Sequence, residues 1–432
     1  MATSRMILRA ATALLCAAAV CAGAEPNTPS EASPSQSPGN WLEACCQRES
    51  LTDGFCGVGK TLSECGVTGC LGLTQIYQIN LRGGQSTHRR AGRYTGSYDL
   101  DVEFDMDKIA GIPGGIGFVG VEGGWSDGLD ESSIGSLFGV NGDAMGNETA
   151  ILRELWYEQN WFDGRAIVRV GKIDLTGTLM CHECPVAFDG SMYANDETSQ
   201  FLNNALVNNP TIPFPEYGLG VMAYVEPVEG FYIAAGAADA QAEPGETGFN
   251  TAFHDEDYFF GIFETGVVGK VCGMDGAYRV GFWYDPQPKE RLTAGAKRDD
   301  MGLYVTCDQQ VYRENPDDPE DTQGAGLFAR FGYAHADVAE VNRFWSVGGQ
   351  YQGLCPGRDE DVLGVGVAQG RLSGHVPSAG RDPHETVFEL YYNARVCGWL
   401  NVTGDVQYVL NPGADSSVGN ALVVGVRAQM NW

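Results

Sequence analysis

Cys181-His182-Glu183-Cys184 sets two thiols three positions apart around an imidazole and a carboxylate, a spacing that could open a zinc site or close a local disulfide. No second ligand pair of suitable spacing follows nearby, so a disulfide between Cys181 and Cys184 is the favoured reading and no metal is expected. A second grouping is acidic. From Tyr94 to Met106 the side chains of Asp99, Asp101, Glu103 and Asp105 share one face of an extended chain, and Glu122 lies on the next segment. Such a row concentrates cations and disfavours anions. A third grouping mixes charge with an indole. Glu154, Trp156, Glu158 and Asn160 share one face, and Arg169, across the turn Phe162-Asp163-Gly164, is expected to join the two glutamates in a hydrogen-bonding wall. The six histidines are scattered and no H-E-x-x-H occurs, so neither an enzyme nor a cofactor is expected.

These side chains need a scaffold, and alternation supplies one. Opposite the acids, Tyr94, Tyr98, Leu100, Val102, Phe104 and Met106 form an apolar face, and Phe388, Leu390, Tyr392, Ala394 and Val396 repeat the pattern near the C-terminus. Leu422, Val424, Val426, Ala428, Met430 and Trp432 close the chain in the same way. Sixteen such windows begin near residues 73, 94, 116, 149, 165, 218, 230, 258, 275, 301, 324, 343, 361, 385, 398 and 420. Their connections alternate between tight turns, such as Val228-Glu229-Gly230, and long loops over 126–148, 176–217, 240–257, 285–300 and 371–384. The connection 312–323 breaks the order by being long on the short-turn side. An even strand count with short turns on one rim predicts an all-β chain, a transmembrane antiparallel β-barrel of about 16 strands. A soluble multi-sheet protein would alternate as well and is the competing reading.

Fifty-six acidic residues against 27 Lys plus Arg give a formal charge of -29, which argues against nucleic acid as a partner. Residues 1–24 read as a signal peptide, with Arg5 and Arg9 ahead of an apolar stretch and Ala22-Gly23-Ala24 at the cleavage site. Residues 25–40 read as a flexible leader, 41–70 as a Cys-rich segment that could plug or collar the barrel, and 71–432 as the barrel. Export exposes the chain to an oxidising compartment, where cysteines pair by default. Cys45, Cys46, Cys56, Cys65 and Cys70 precede the first strand, and Cys272, Cys355 and Cys397 fall at short turns on the same rim. Disulfides tying the segment to those turns are therefore expected, with Cys307, inside a strand, left over from an odd set.

The stretch ELWYEQNWFDGRAIVRVGKID (154–174), followed by 194–221 and 229–241, resembles the carbohydrate-selective porins of the OprB family. Residues 385–413 and the closing NALVVGVRAQMNW resemble the same family's last strands. The resemblance implies a barrel in the bacterial outer membrane through which small sugars diffuse passively. Its partners would be outer-membrane lipid and the barrel assembly machinery, which Trp432 would engage, and a homo-oligomer is compatible with it. Sugar hydroxyls would meet Glu154, Glu158, Arg169, Asp99, Asp101, Glu103 and Glu122, and the apolar sugar face would meet Trp156. By analogy with wide porins, the loop 176–217 is expected to fold inward, with Asn195, Glu197 and Gln200 as polar contributors. A general porin that favours cations, and a surface barrel serving adhesion or cell-wall attachment, are the alternatives.

Overall fold

A computed structural model describes residues 48, 50–89, 91–148, 150–181, 186–253, 257–318, 321–377 and 382–432, apart from the side chains of Asp53 and Cys56. The signal peptide, the leader, Cys45, Cys46 and Cys184 lie outside these residues.

Sixteen antiparallel strands close into one barrel, each paired with its neighbours in chain order. They are β1 (Val67–Gly84), β2 (Gly92–Asp105), β3 (Gly115–Trp125), β4 (Ile151–Trp161), β5 (Ala166–Ile173), β6 (Gly218–Val228), β7 (Phe231–Asp239) and β8 (Phe259–Val271). The second half comprises β9 (Met274–Asp285), β10 (Asp300–Arg313), β11 (Gly324–Ala334), β12 (Val341–Gln352), β13 (Val362–Leu372), β14 (His384–Cys397), β15 (Leu400–Leu410) and β16 (Gly419–Asn431). β1 meets β16 along Gly72↔Asn431 to Gly84↔Gly419, which removes every open sheet edge. All the starts fall within two residues of the sequence windows except that of β1. That strand begins at Val67, because Val67 to Cys70 pair with Phe104 to Asp101 of β2. Cys70 thus belongs to the wall and not to the segment before it.

The two-residue turns occupy one rim and the longest loops the other, although the connection 314–323 is long on the short-turn rim and 335–340 is short on the opposite one. At the tightest hairpin Cys272 and Gly273 take φ of 54° and 83°, the left-handed pair that matches the strand twist. The β2–β3 connection holds a short helix, α2 (Met106–Ala110), whose first amides from Asp107 and Lys108 donate to the Asp105 side chain. A helix ahead of β1, α1 (Val58–Glu64), stands at this rim too, with Lys108 Nζ donating to the Ser63 carbonyl at 3.3 Å.

Alternation separates the two faces of the wall. On β14, Leu390 is 47% exposed on the outside while its neighbour Glu389 is 2% exposed inside. The interior is unusual in carrying apolar side chains as well. Phe328, Phe344, Val387, Tyr391, Val409 and Val423 point inward and are buried by two loops that fold into the barrel, 126–150 and 174–217. The loops contribute Ile134, Phe138 and Val140, and Phe201, Leu206 and Val207, so inward folding is driven by an ordinary hydrophobic cluster. Tyr391 lies flat across Gly364, where an added methyl would sit 2.1 Å from the ring, and its edge reaches Phe201 at 5.0 Å between centroids.

Candidate functional site

The loop 174–217 enters the barrel and is pinned by charged side chains projecting from the wall. Glu389 accepts from the amides of Leu202 at 2.7 Å and Asn203 at 2.9 Å. Arg330 donates to the carbonyls of Leu206 at 3.0 Å and Val207 at 2.9 Å, and also contacts Asn195. Arg427 donates to the Gln200 carbonyl at 2.7 Å and contacts that of Glu197. Further round, Asp308 pairs with Arg279 at 2.9 Å and accepts from Ser191 Oγ at 2.5 Å and the Met192 amide at 3.2 Å. Glu264 accepts from the Asp189 amide at 3.0 Å and from the hydroxyls of Tyr232 and Tyr304. Each anchor joins a wall side chain to loop backbone, so the loop is held as a shelf.

Two cavities flank this shelf. One, of about 800 Å³, opens at the long-loop rim and is lined by Asp174, Thr176, Asn195, Glu197, Phe214 and Tyr217 among others. The other, of about 510 Å³, opens at the short-turn rim and is lined by Gln200, Asp275, Arg313, Gln350, Tyr391 and Asn401 among others. The three loop residues proposed from sequence therefore border the open space, Asn195 and Glu197 on one side and Gln200 on the other.

The acidic row faces inward as expected, but a cation sits in it. Asp99 pairs in register with Glu122, and Asp101 with Gly120. Arg153 reaches Asp99 at 3.3 Å and Asp101 at 2.9 Å. Strict alternation would turn Arg153 outward beside Leu155. Instead the β3–β4 register jumps from Gly120↔Glu154 to Val121↔Leu152, a bulge that leaves Arg153 unpaired and aims it at the acids. The wall is thus an alternating-charge surface, with Glu103 exposed beyond it and Tyr217 donating to Glu122 at 3.2 Å. No sequence signal marks a bulge here, so Arg153 could not have been chosen in advance.

Glu154, Trp156, Glu158 and Arg169 come together closely. Arg169 pairs with Glu158 at 2.8 Å, lies 3.9 Å above the Trp156 ring, and donates to the Thr178 carbonyl at 2.9 Å. Trp156 stacks on Phe118 at 4.8 Å and donates to Glu154 at 3.0 Å, whereas Trp125 lies on the outer face near Tyr94. Glu158 and Arg169 are only 2% and 4% exposed, because residues 174–178 cover them. This cluster holds the root of the inward loop.

Both inward loops carry a buried acid near Asp99. Asp143 of the first loop accepts from Ser97 Oγ through both oxygens, at 2.7 and 2.8 Å. Burial pushes its carboxyl up to about 7, the Ser97 hydrogen bonds work against this, and the charges of Glu197 and Asp99 add to it. Burial likewise pushes Glu197 up to about 7, with Asp196 and Asp99 adding to the shift and Arg427 opposing it.

The cysteines divide into two groups. Cys70, Cys272, Cys307 and Cys355 each carry a thiol not bridged to another described residue. Cys45, Cys46, Cys184 and the side chain of Cys56 lie outside the described residues. Cys272, Cys355 and Cys397 do stand at the short-turn rim. Cys181 stands there too, since Met180 and Cys181 border a cavity with Pro113, Trp161 and Phe162. Among the described residues no group of acids, histidines and cysteines could hold a metal ion.

Two strings in the sequence match enzyme motifs. Gly54 to Thr61 matches G-x-x-x-x-G-K-[ST], but no strand precedes it among the described residues and the helix that begins inside it, Val58–Glu64, has seven residues. Gly124-Trp125-Ser126-Asp127-Gly128 matches G-x-S-x-G, but Ser126 leads from β3 into a loop and not into the helix that a nucleophile elbow requires.

Comparison with known proteins agrees with this architecture. The family model of the carbohydrate-selective porin, OprB family, matches residues 89–432. Porin B of Pseudomonas aeruginosa is 25% identical over 407 residues, covering 81% of this chain and 84% of that protein. Porin AaxA of Chlamydia trachomatis is 23% identical over 280 residues, covering 65% of this chain and 55% of that protein. The high-pH structure of Pseudomonas putida OprB superposes with a TM-score of 0.78 at 22% identity, covering 90% of this chain and 99% of that one. The low-pH structure of the same protein gives 0.57 at 20% identity.

Proposed function

The chain belongs to the OprB family of carbohydrate-selective porins, passive channels of the bacterial outer membrane, and from that premise we propose which residues its solutes meet. Sugars enter the upper cavity past Tyr217 and Phe214, cross the shelf beside Asn195, Glu197 and Gln200, and leave through the lower cavity past Tyr193. The observation that carries this reading is the pair of cavities on the two sides of an anchored inward loop. Aromatic faces beside carboxylates and amides suit a solute with hydroxyls around an apolar ring, and each contact is weak enough for the solute to leave. In this reading Asp99, Asp101 and Arg153 touch solute from the wall, whereas Glu122, Glu154, Trp156, Glu158 and Arg169 are covered by the inward loop and position it. The test is uptake of glucose and maltotriose by liposomes carrying the purified chain. Uptake no faster than in protein-free liposomes would sink it.

Charge selectivity tests the second reading, a general porin that favours cations. The observation behind it is the surplus of lumen carboxylates over Arg153, Arg169, Arg279, Arg330 and Arg427. Reversal potentials in a salt gradient should show cation preference, and it should fade as salt rises because screening sets in at about 8 Å in physiological salt. Lowering the pH through about 7 should also reduce it, since Asp143 and Glu197 are charged above that value and neutral below it. Anion preference at low salt would contradict the assigned faces.

The reading extends to the rim. The Cys-rich segment is tethered through disulfides to the turns that carry Cys272, Cys355 and Cys397, and non-reducing peptide mapping is expected to find at least one link from Cys45, Cys46, Cys56 or Cys65, Cys70 being part of β1. Maps in which those four pair only among themselves would end the tether idea. Assembly uses Trp432, whose deletion should lower barrel yield, and a homo-oligomer in the membrane is tested by the mass of the detergent complex.

A further inference from the structure

We propose that Met192 sets the size limit of the channel, its thioether being the side chain that a solute passes between the two cavities. The proposal deepens the porin reading and rests on it. Among the described residues Met192 is the one that lines both cavities, with Ser191 and Asn195 on the upper side and Tyr193 and Gln200 on the lower. Its side chain is 54% exposed in the lumen, although the backbone that carries it is fixed from several directions. The Met192 amide donates to Asp308 at 3.2 Å and its carbonyl accepts from Gln200 at 2.9 Å. The preceding Ser191 is held by Asp308, and the Tyr193 carbonyl accepts from Gln350 at 2.9 Å. The backbone therefore cannot swing aside, and the movable part is an unbranched side chain with three rotatable bonds.

The chemistry of the thioether fits a passage point. A carboxylate or amide in its place would bind hydroxyls and hold the solute, whereas a polarisable apolar chain in a polar ring offers contact without a strong hydrogen bond. A sugar can turn its CH face toward the thioether and keep its hydroxyls on Asn195 and Gln200. A larger oligosaccharide needs the side chain to fold away, which makes its rotamer the gate.

The test uses the full chain in planar bilayers and in liposomes, as wild type and as Met192→Trp, Met192→Gly and Met192→Leu. Met192→Trp should lower single-channel conductance about twofold and maltotriose uptake about tenfold, more than it lowers glucose uptake, because a pore that narrows excludes the larger solute first. Met192→Gly should raise the maltotriose-to-glucose uptake ratio, and Met192→Leu, which conserves volume, should behave like the wild type. A folded Met192→Trp channel with wild-type conductance and uptake ratio overturns the proposal. Should Met192→Trp fail to insert, the Gly variant decides alone, since an unchanged ratio there is equally fatal. If the wild type passes no sugar, the porin reading fails instead, and the conductances still decide whether residue 192 narrows the path.

Discussion

Asp308→Ala is expected to destabilise the protein by about 3–5 kcal/mol and to loosen the inward loop around Ser191 and Met192, because it removes one partner of a fully buried pair. Asp308 and Arg279 are 1% and 4% exposed and meet at 2.9 Å, so the substitution strands a guanidinium away from water. The same carboxylate holds the loop through Ser191 Oγ and the Met192 amide, and an alanine cannot replace either bond. Urea unfolding in micelles should show the lost stability, and single-channel traces should become larger and noisier as the shelf loosens there. The double variant Asp308→Ala with Arg279→Met should regain part of the stability, since the buried charge is then gone, but the loop should stay loose because its own bonds are still missing. An Asp308→Ala channel as stable and as quiet as the wild type would show that the loop is held elsewhere.

That anchor illustrates what the sequence can and cannot disclose. Asp308 and Arg279 each occupy an inward position of a strand found by alternation, so their facing was legible. Their meeting was not, because β9 and β10 are joined by a long loop that does not set their register, and alternation along one strand carries no register. Arg153 shows the opposite failure. Here the rule gave the wrong face, since one extra residue in β4 shifts every assignment before it. The inward course of 174–217 followed only from analogy with wide porins, and that of 126–150 was not foreseen at all. The apolar residues that hold both loops, Phe201 and Phe138 among them, lie in irregular segments without a period, so nothing in their spacing says whether they face lipid, solvent or a barrel wall. Cys181 could be placed in a long loop, but its depth depends on how far that loop dips, which is a property of the anchors and not of the local sequence.

Leu390→Arg is expected to destabilise the barrel by about 2–4 kcal/mol, the range for a cation at the midplane of a membrane strand. Leu390 lies in the middle of β14, is 47% exposed on the outer face, and pairs with Val365 of β13 and Val406 of β15. Those three apolar side chains form a continuous patch, so an arginine there finds no carboxylate across either strand boundary. Snorkelling toward a rim would relieve part of the penalty, which is why the lower end of the range applies if the bilayer thins locally. The contrast that isolates lipid as the cause is Glu103→Arg, a charge change of two units against one for Leu390→Arg, on the lumen face of β2. It should leave unfolding nearly unchanged and alter ion selectivity instead, because water already solvates that face. Measuring both variants by refolding into phosphatidylcholine bilayers separates the faces: if Leu390→Arg refolds as well as Glu103→Arg, the outward assignment of β14 is wrong. A one-residue slip of that strand would turn Glu389 and Tyr391 to lipid and Leu390 to the lumen, so this pair of variants also tests the register on which the Glu389 anchor of the inward loop depends.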